Sequence, residues 1–133
     1  MSEDNAEIVR TALEHFAATD ELLDVLAPDF VWDMGTFQGW PDEPIFEGLD
    51  GLREFLALWR EPYDDWSMTV EGVLDGRDNR VVALLRQRGR PHGSNSEVHL
   101  HYGLVHVVDD GLIRRVEAYA SVEDALEGAG LAV

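Results

Sequence analysis

Cysteine and lysine are both missing from the 133 residues, and the two gaps remove whole branches of chemistry. Without cysteine there is no disulfide, no thiolate nucleophile and no Cys-ligated zinc. Without lysine there is no Schiff base and no lysine general base. All ten basic residues are arginine, whose guanidinium stays charged near neutrality, so any fixed cation in a site is an Arg. Proton transfer then falls to Asp, Glu, His, Tyr or Ser. Long apolar runs are missing too, as is a basic, apolar leader with a small-residue end, so no membrane span or secretion is expected and the expected location is cytoplasmic. Positive charge is scarce: 27 acidic residues against 10 arginines leave a net charge of -17. Phosphate backbones and anionic membranes repel such a chain, which makes nucleic acid and membrane unsuitable partners and solubility the simplest reading of the acidity.

What is present is enough apolar residue, 45%, for one core in a single domain spanning 1–133. Ile8, Val9, Ala12, Leu13 and Phe16 recur at helical spacing, with Asp4 and Glu7 as a capping pair. A short second helix is expected from Asp20 as N-cap through Leu22, Leu23, Val25 and Leu26, stopped by Pro28. Residues 29 to 34 read as a strand, and Gly35, Gly39, Pro41 and Pro44 impose a loop holding Phe37 and Trp40. A third helix starts near Asp50, carries Leu52, Phe55, Leu56 and Trp59 on one face and ends at Pro62. From Asp65 the period changes from 3.6 to 2. Strands follow at about 65–75, 79–90, 95–108 and 112–120, joined by turns rich in Asp, Gly and Asn, and Ser121 caps a last short helix.

The order predicts an α+β fold in which helices cover one face of a curved antiparallel sheet. Val81, Ala83 and Leu85 cannot share a face with Val82 and Leu84, so both faces carry apolar residues. Burial on both sides is what a homodimer through the sheet's outer face would supply.

At this point the chain resembles a known family. Glu7-Ile8-Val9-Arg10, Ala27-Pro28-Asp29-Phe30-Val31-Trp32, Phe46-Glu47-Gly48-Leu49-Asp50-Gly51-Leu52, the strand from Val81 to Arg90 and Asp110-Gly111-Leu112-Ile113-Arg114-Arg115-Val116-Glu117 are similar to the SnoaL-like branch of the nuclear transport factor 2 superfamily. The resemblance implies a cone: a curved sheet wrapped around N-terminal helices, with a pocket at the wide end. The superfamily includes polyketide cyclases, ketosteroid isomerase and epoxide hydrolase, so fold alone transfers function poorly. Carried over residue by residue, the isomerase base falls on Met34, and the last-strand acid of the hydrolases and cyclases falls on Ala118. Arg86 matches the hydrolase arginine, but Arg88 stands where a carboxylate would.

Parity along the strands then sorts the polar residues. Val98, Leu100, Tyr102, Leu104, His106 and Val108 form the more apolar row and are expected to face the helices, leaving Glu97, His99 and His101 outside. Val82, Leu84, Arg86, Arg88 and Arg90 share a face, which the alignment with the family turns inward as well, with Trp32, Met34, Trp66, Met68 and Val116. Arg86 is the candidate to hold an oxyanion, and His106 or Asp33 the candidate to move protons. Trp32, Met34, Phe55, Trp59, Trp66, Arg88, Tyr102, Val116 and Ala118 are the candidate ligand wall, suited to a small apolar or aromatic molecule with no cofactor. His99-x-His101 with Glu97 offers two imidazoles and a carboxylate, but residues two apart on a strand are about 7 Å apart and need a third ligand from elsewhere. A binding protein, a cofactor-independent enzyme of isomerase, cyclase or hydrolase type, and a metal enzyme at His99 and His101 all stay open.

Overall fold

In the computed structural model, which describes residues 2–22 and 24–131, helix α1 (Ser2–Thr19) leads into strand β1 (Leu26–Asp33). A three-residue strand β2 (Ile45–Glu47), helix α2 (Gly48–Arg60) and four strands follow: β3 (Tyr63–Asp75), β4 (Arg80–Pro91), β5 (Val98–Asp109) and β6 (Leu112–Tyr119). A short helix α3 (Val122–Gly128) completes the order. The strands form one curved, unclosed sheet in the order β2-β1-β6-β5-β4-β3. It is mixed, because β1 runs parallel to β6 while every other pair is antiparallel.

The expected second helix does not form. Asp20 takes a left-handed backbone, φ 65°, and its N–H donates to the Phe16 carbonyl at 2.8 Å, so it ends the first helix instead of starting another. The few residues left before Pro28 are too short a stretch for a stable helical nucleus. The sheet also competes for their backbone: the Val25 carbonyl accepts the Ile113 N–H at 2.7 Å, and Pro28 lies within β1. Leu23 lies outside the described residues. At the other end of the helix, α1 begins at Ser2, so Asp4 sits inside it and not at its cap.

Two apolar layers result. Val9, Phe30, Met34, Leu52, Phe55, Val81, Ala83, Leu85, Leu104 and Val116 form the main core between the inner sheet face and α1 and α2. On the outer face Val82 and Val105 pack against Ala125 and Ala129. The Ser121 hydroxyl accepts the Asp124 N–H at 3.1 Å and caps α3. Gly103 lets this helix lie close, since a Cβ there would collide with the Ala125 methyl. This apolar part of the outer face is therefore covered by the chain's own last helix. Beyond α3 the outer face is polar, with Arg86, Arg88, His99 and His101 exposed.

Register corrects the assignment of faces on β4. Leu85 stands opposite Tyr102, and Arg86 opposite His101. Directly opposed residues share a face, so the inward row of β4 is Val81, Ala83, Leu85 and Gln87, and the even-numbered row points outward. On β6 a register shift at Val107/Val108 lets Ile113 and Val116 both reach the core despite opposite parity.

Candidate functional site

A cavity of about 100 Å³ lies between α1, α2 and the inner sheet face. Three elements bring its aromatic wall together. Trp32 of β1 stacks on Phe55 of α2 at 4.7 Å between ring centroids, and Phe55 stacks on Trp59 at 5.7 Å. Phe37, from the loop after β1, stands edge-on to Trp59 at 5.5 Å, and Tyr102 of β5 meets Trp59 at 5.8 Å. Helical spacing explains the α2 contribution, because Phe55 and Trp59 are one turn apart and share a face. Trp66 closes another side: Phe16 packs edge-on against it at 6.2 Å, and the Arg60 guanidinium lies 4.7 Å over its ring. Arg60 in turn holds Asp20 at 2.5 Å, tying the end of α2 to the end of α1.

Of the residues singled out from sequence, Trp32, Met34, Phe55, Trp59, Trp66, Tyr102, His106, Val116 and Ala118 all line the cavity. Arg86, Arg88 and Asp33 do not. Arg86 is exposed on the outer face, and Arg88 pairs there with Glu97 at 3.3 Å. Asp33 alternates with Trp32 and Met34, so it faces away; its carboxylate accepts the Gly35 N–H at 2.7 Å and is bound by Arg115. Arg115 also reaches Glu117, at 3.2 Å. The oxyanion holder and one of the two proton carriers expected from sequence are thus outside the cavity. His99 and His101 are outward, as parity predicts, beside Glu97 at 3.8 Å and Glu71 at 3.9 Å respectively. Among the described residues no three His, Asp or Glu side chains are grouped to hold a metal.

Among the described residues, His106 is the one imidazole in the cavity wall. Burial pushes its pKa down to about 4, against the opposing pull of the Val81 and Leu104 carbonyls, so the ring is neutral at pH 7. Its Nδ1 lies 3.3 Å from the Val81 carbonyl, which can only accept, so the tautomer that makes this bond carries its proton on Nδ1.

Gln87 is the residue that sequence reasoning missed. It is 1% exposed and lies just behind the wall. Its Oε1 accepts the Trp59 indole N–H at 2.6 Å and the Tyr102 hydroxyl at 3.1 Å. An indole nitrogen can only donate, which fixes the amide with oxygen toward the two aromatics. Its Nε2 is buried with no partner among the described residues. Burial also pushes the Tyr102 phenol above its ordinary range, so it keeps its proton. The signal that could have found Gln87 was its parity with Leu85, had the β4 row been set by pairing with Tyr102.

Residues 9–116 match the model of the SnoaL-like domain. No curated protein matches the chain significantly. Among solved structures, TerC co-crystallized with polyporic acid is similar with a TM-score of 0.73 at 18% identity, over 93% of this chain and 98% of that one. An NTF2-like protein of unknown function from Burkholderia pseudomallei K96243 is similar with a TM-score of 0.72 at 18% identity, covering 95% of this chain and 97% of its own. A protein provisionally named a SnoaL-like polyketide cyclase, from Jannaschia sp. CCS1, gives a TM-score of 0.69 at 18% identity, covering 99% and 95%. At such identities the likeness is one of fold, and it agrees with the helices and the mixed sheet. The chain belongs to the SnoaL-like family.

Proposed function

We propose that the chain binds a small, neutral, mostly apolar molecule, with one or two aromatic rings, in the cavity between its helices and its sheet. One observation carries this reading: among the described residues no carboxylate and no guanidinium lines the cavity, and the lining they form is apolar or aromatic apart from His106. An ionised ligand entering it would lose its hydration and gain no countercharge, which costs several kcal/mol at least. A flat apolar ligand finds the stacked Trp32, Phe55 and Trp59 rings and loses only its contact with water. A structural neighbour, TerC, was crystallised with the small molecule polyporic acid, which supports a ligand-holding use of the fold. Acid–base chemistry in this cavity would rest on His106 alone, with Arg86 and Asp33 on the other side of the sheet. Binding is for that reason the function the geometry supports best.

The test is a binding measurement with naphthalene and its anionic analogue 2-naphthoate, read by fluorescence of the tryptophans in the wall. Naphthalene should bind at least about tenfold more tightly, a factor that takes about 1.4 kcal/mol. Ala118→Leu, which fills part of the cavity from β6, should abolish that binding. Equal or tighter binding of 2-naphthoate would sink the reading.

A further inference from the structure

The cavity and its immediate backing hold hydrogen-bond donors with nothing to bond to. The indole nitrogens of Trp32 and Trp66 are buried with no partner among the described residues, and both rings line the cavity. Directly behind the wall, the Gln87 Nε2 is in the same condition. Its amide cannot turn over to remedy this, because its Oε1 already accepts the Trp59 indole N–H at 2.6 Å and the Tyr102 hydroxyl at 3.1 Å. The other buried side-chain atoms without a partner, on Asp75, Arg80, Arg90 and Arg114, belong to residues that do not line the cavity. Indole and amide nitrogens only donate, so the unmatched side-chain atoms around the cavity are all of one kind.

We propose that the ligand carries a neutral acceptor oxygen, of ketone or ether type, and that the Trp32 indole N–H donates to it. The inference rests on the proposed binding function and narrows its ligand class from apolar rings in general to rings bearing such an oxygen. A buried donor left unpaired has lost its bond to water and gained nothing, which is why native structures leave few of them. Water is a poor remedy here. A buried water is held by about two to four polar partners, and this lining offers single N–H groups set among aromatic and aliphatic carbon. An acceptor fixed to an apolar ring needs only one donor, because the wall holds the rest of the molecule. One N–H can offset the water that a carbonyl gives up, but not the hydration of a carboxylate, so the oxygen is a neutral one. Trp32 is the better buried of the two indoles, 9% exposed and stacked on Phe55, whereas Trp66 is half-buried beneath the Arg60 guanidinium.

The experiment compares tetralin with 1-tetralone, which share an outline and differ by one carbonyl oxygen, by equilibrium dialysis against the full chain. In Trp32→Phe the ratio of the tetralone to the tetralin dissociation constant should rise about tenfold above its wild-type value, the loss of about one hydrogen bond. The smaller ring also makes room, but both probes meet that room alike and the ratio cancels it. In Trp66→Phe the rise should be smaller. A ratio unmoved in a folded Trp32→Phe protein, or moved at least as far in Trp66→Phe, overturns the inference while tetralin binding leaves the binding function in place. Failure of both probes to bind the wild type overturns both. A measurement on the wild type alone guards against a variant that does not fold: the Trp32 indole N–H proton should shift downfield with tetralone and not with tetralin. An equal response to the two probes would mean that this N–H does not meet the ligand oxygen, which also overturns the inference.

Discussion

His106 is where a single side chain ties the cavity to solution conditions. Its pKa is about 4 in the folded chain and near 6.5 in the unfolded one, because burial penalises the charged ring. Between those two values the unfolded state binds a proton that the folded state refuses. The group's contribution is therefore intact above about pH 6.5, falls as pH drops from there toward 4, and is flat below. The shift corresponds to stability on the order of 3 kcal/mol lost across that window. Carboxylates titrate in the same range, so the comparison that isolates the imidazole is wild type against His106→Asn. Urea denaturation at pH 7.5, 6, 5 and 4 should show the wild type losing stability faster than the variant on the way down. Parallel curves would mean that the fold does not lower the proton affinity of His106. Ligand affinity should follow the same direction, since a protonated His106 brings a charge into an apolar cavity.

Elements differ in how openly the sequence declares them, and the difference follows from what decides each one. Strands β3 to β6 were readable to within a few residues, because alternation and Asp/Gly turns are local signals. So were α2 and the Ser121-capped α3. The second helix failed because Asp20 could serve either as a cap or as a left-handed stop, and only the pairing of Val25 with Ile113 settles which. Strand β2 and the parallel β1–β6 pairing were not readable, since both depend on partners far along the chain. The same holds for faces. Assigning Tyr102 and His106 inward was right from their own strand, but Arg86 was placed by analogy, and the β4–β5 register turns it out and brings Gln87 in. The cavity wall was thus legible in its aromatics and His106, and not in Arg86, Arg88 or Gln87. Packing of α3 makes a test at this scale. Gly103 faces Ala125 so closely that Gly103→Val would force the helix off Val82 and Val105. Overpacking of this kind costs about 1–3 kcal/mol, and the loss should be visible in the melting temperature. Exchange of the α3 amides should rise selectively while those of α2 stay protected. Equal loosening of both helices would show that α3 is not a separate layer.

Across the whole molecule the unanswered quantity is the charge of -17, since the described ion pairs are few beside the 27 acids. Most of these pairs are exposed, such as Arg10–Glu14 at 3.8 Å and Arg80–Asp78 at 3.9 Å, and pairs of that kind contribute about 0–1 kcal/mol each. The less exposed set is Arg115 with Asp33 and Glu117 on the outer face of β1 and β6. Against them stands the repulsion of the excess carboxylates, which is stronger in the compact fold than in the extended chain. Salt weakens both, but not equally: the attractive pairs act at contact distance, while repulsion is summed over many separations comparable to the Debye length of about 10 Å at 0.1 M. Screening should therefore remove more repulsion than attraction. Raising NaCl from 20 mM to 0.5 M should move the urea midpoint upward with little change in the slope of the transition, and the gain should shrink at pH 4.5, where part of the carboxylate charge is already neutralised. A midpoint that falls with salt would mean that the outer-face network around Arg115 outweighs the repulsion, and that acidity in this chain is organised for stability as well as for solubility.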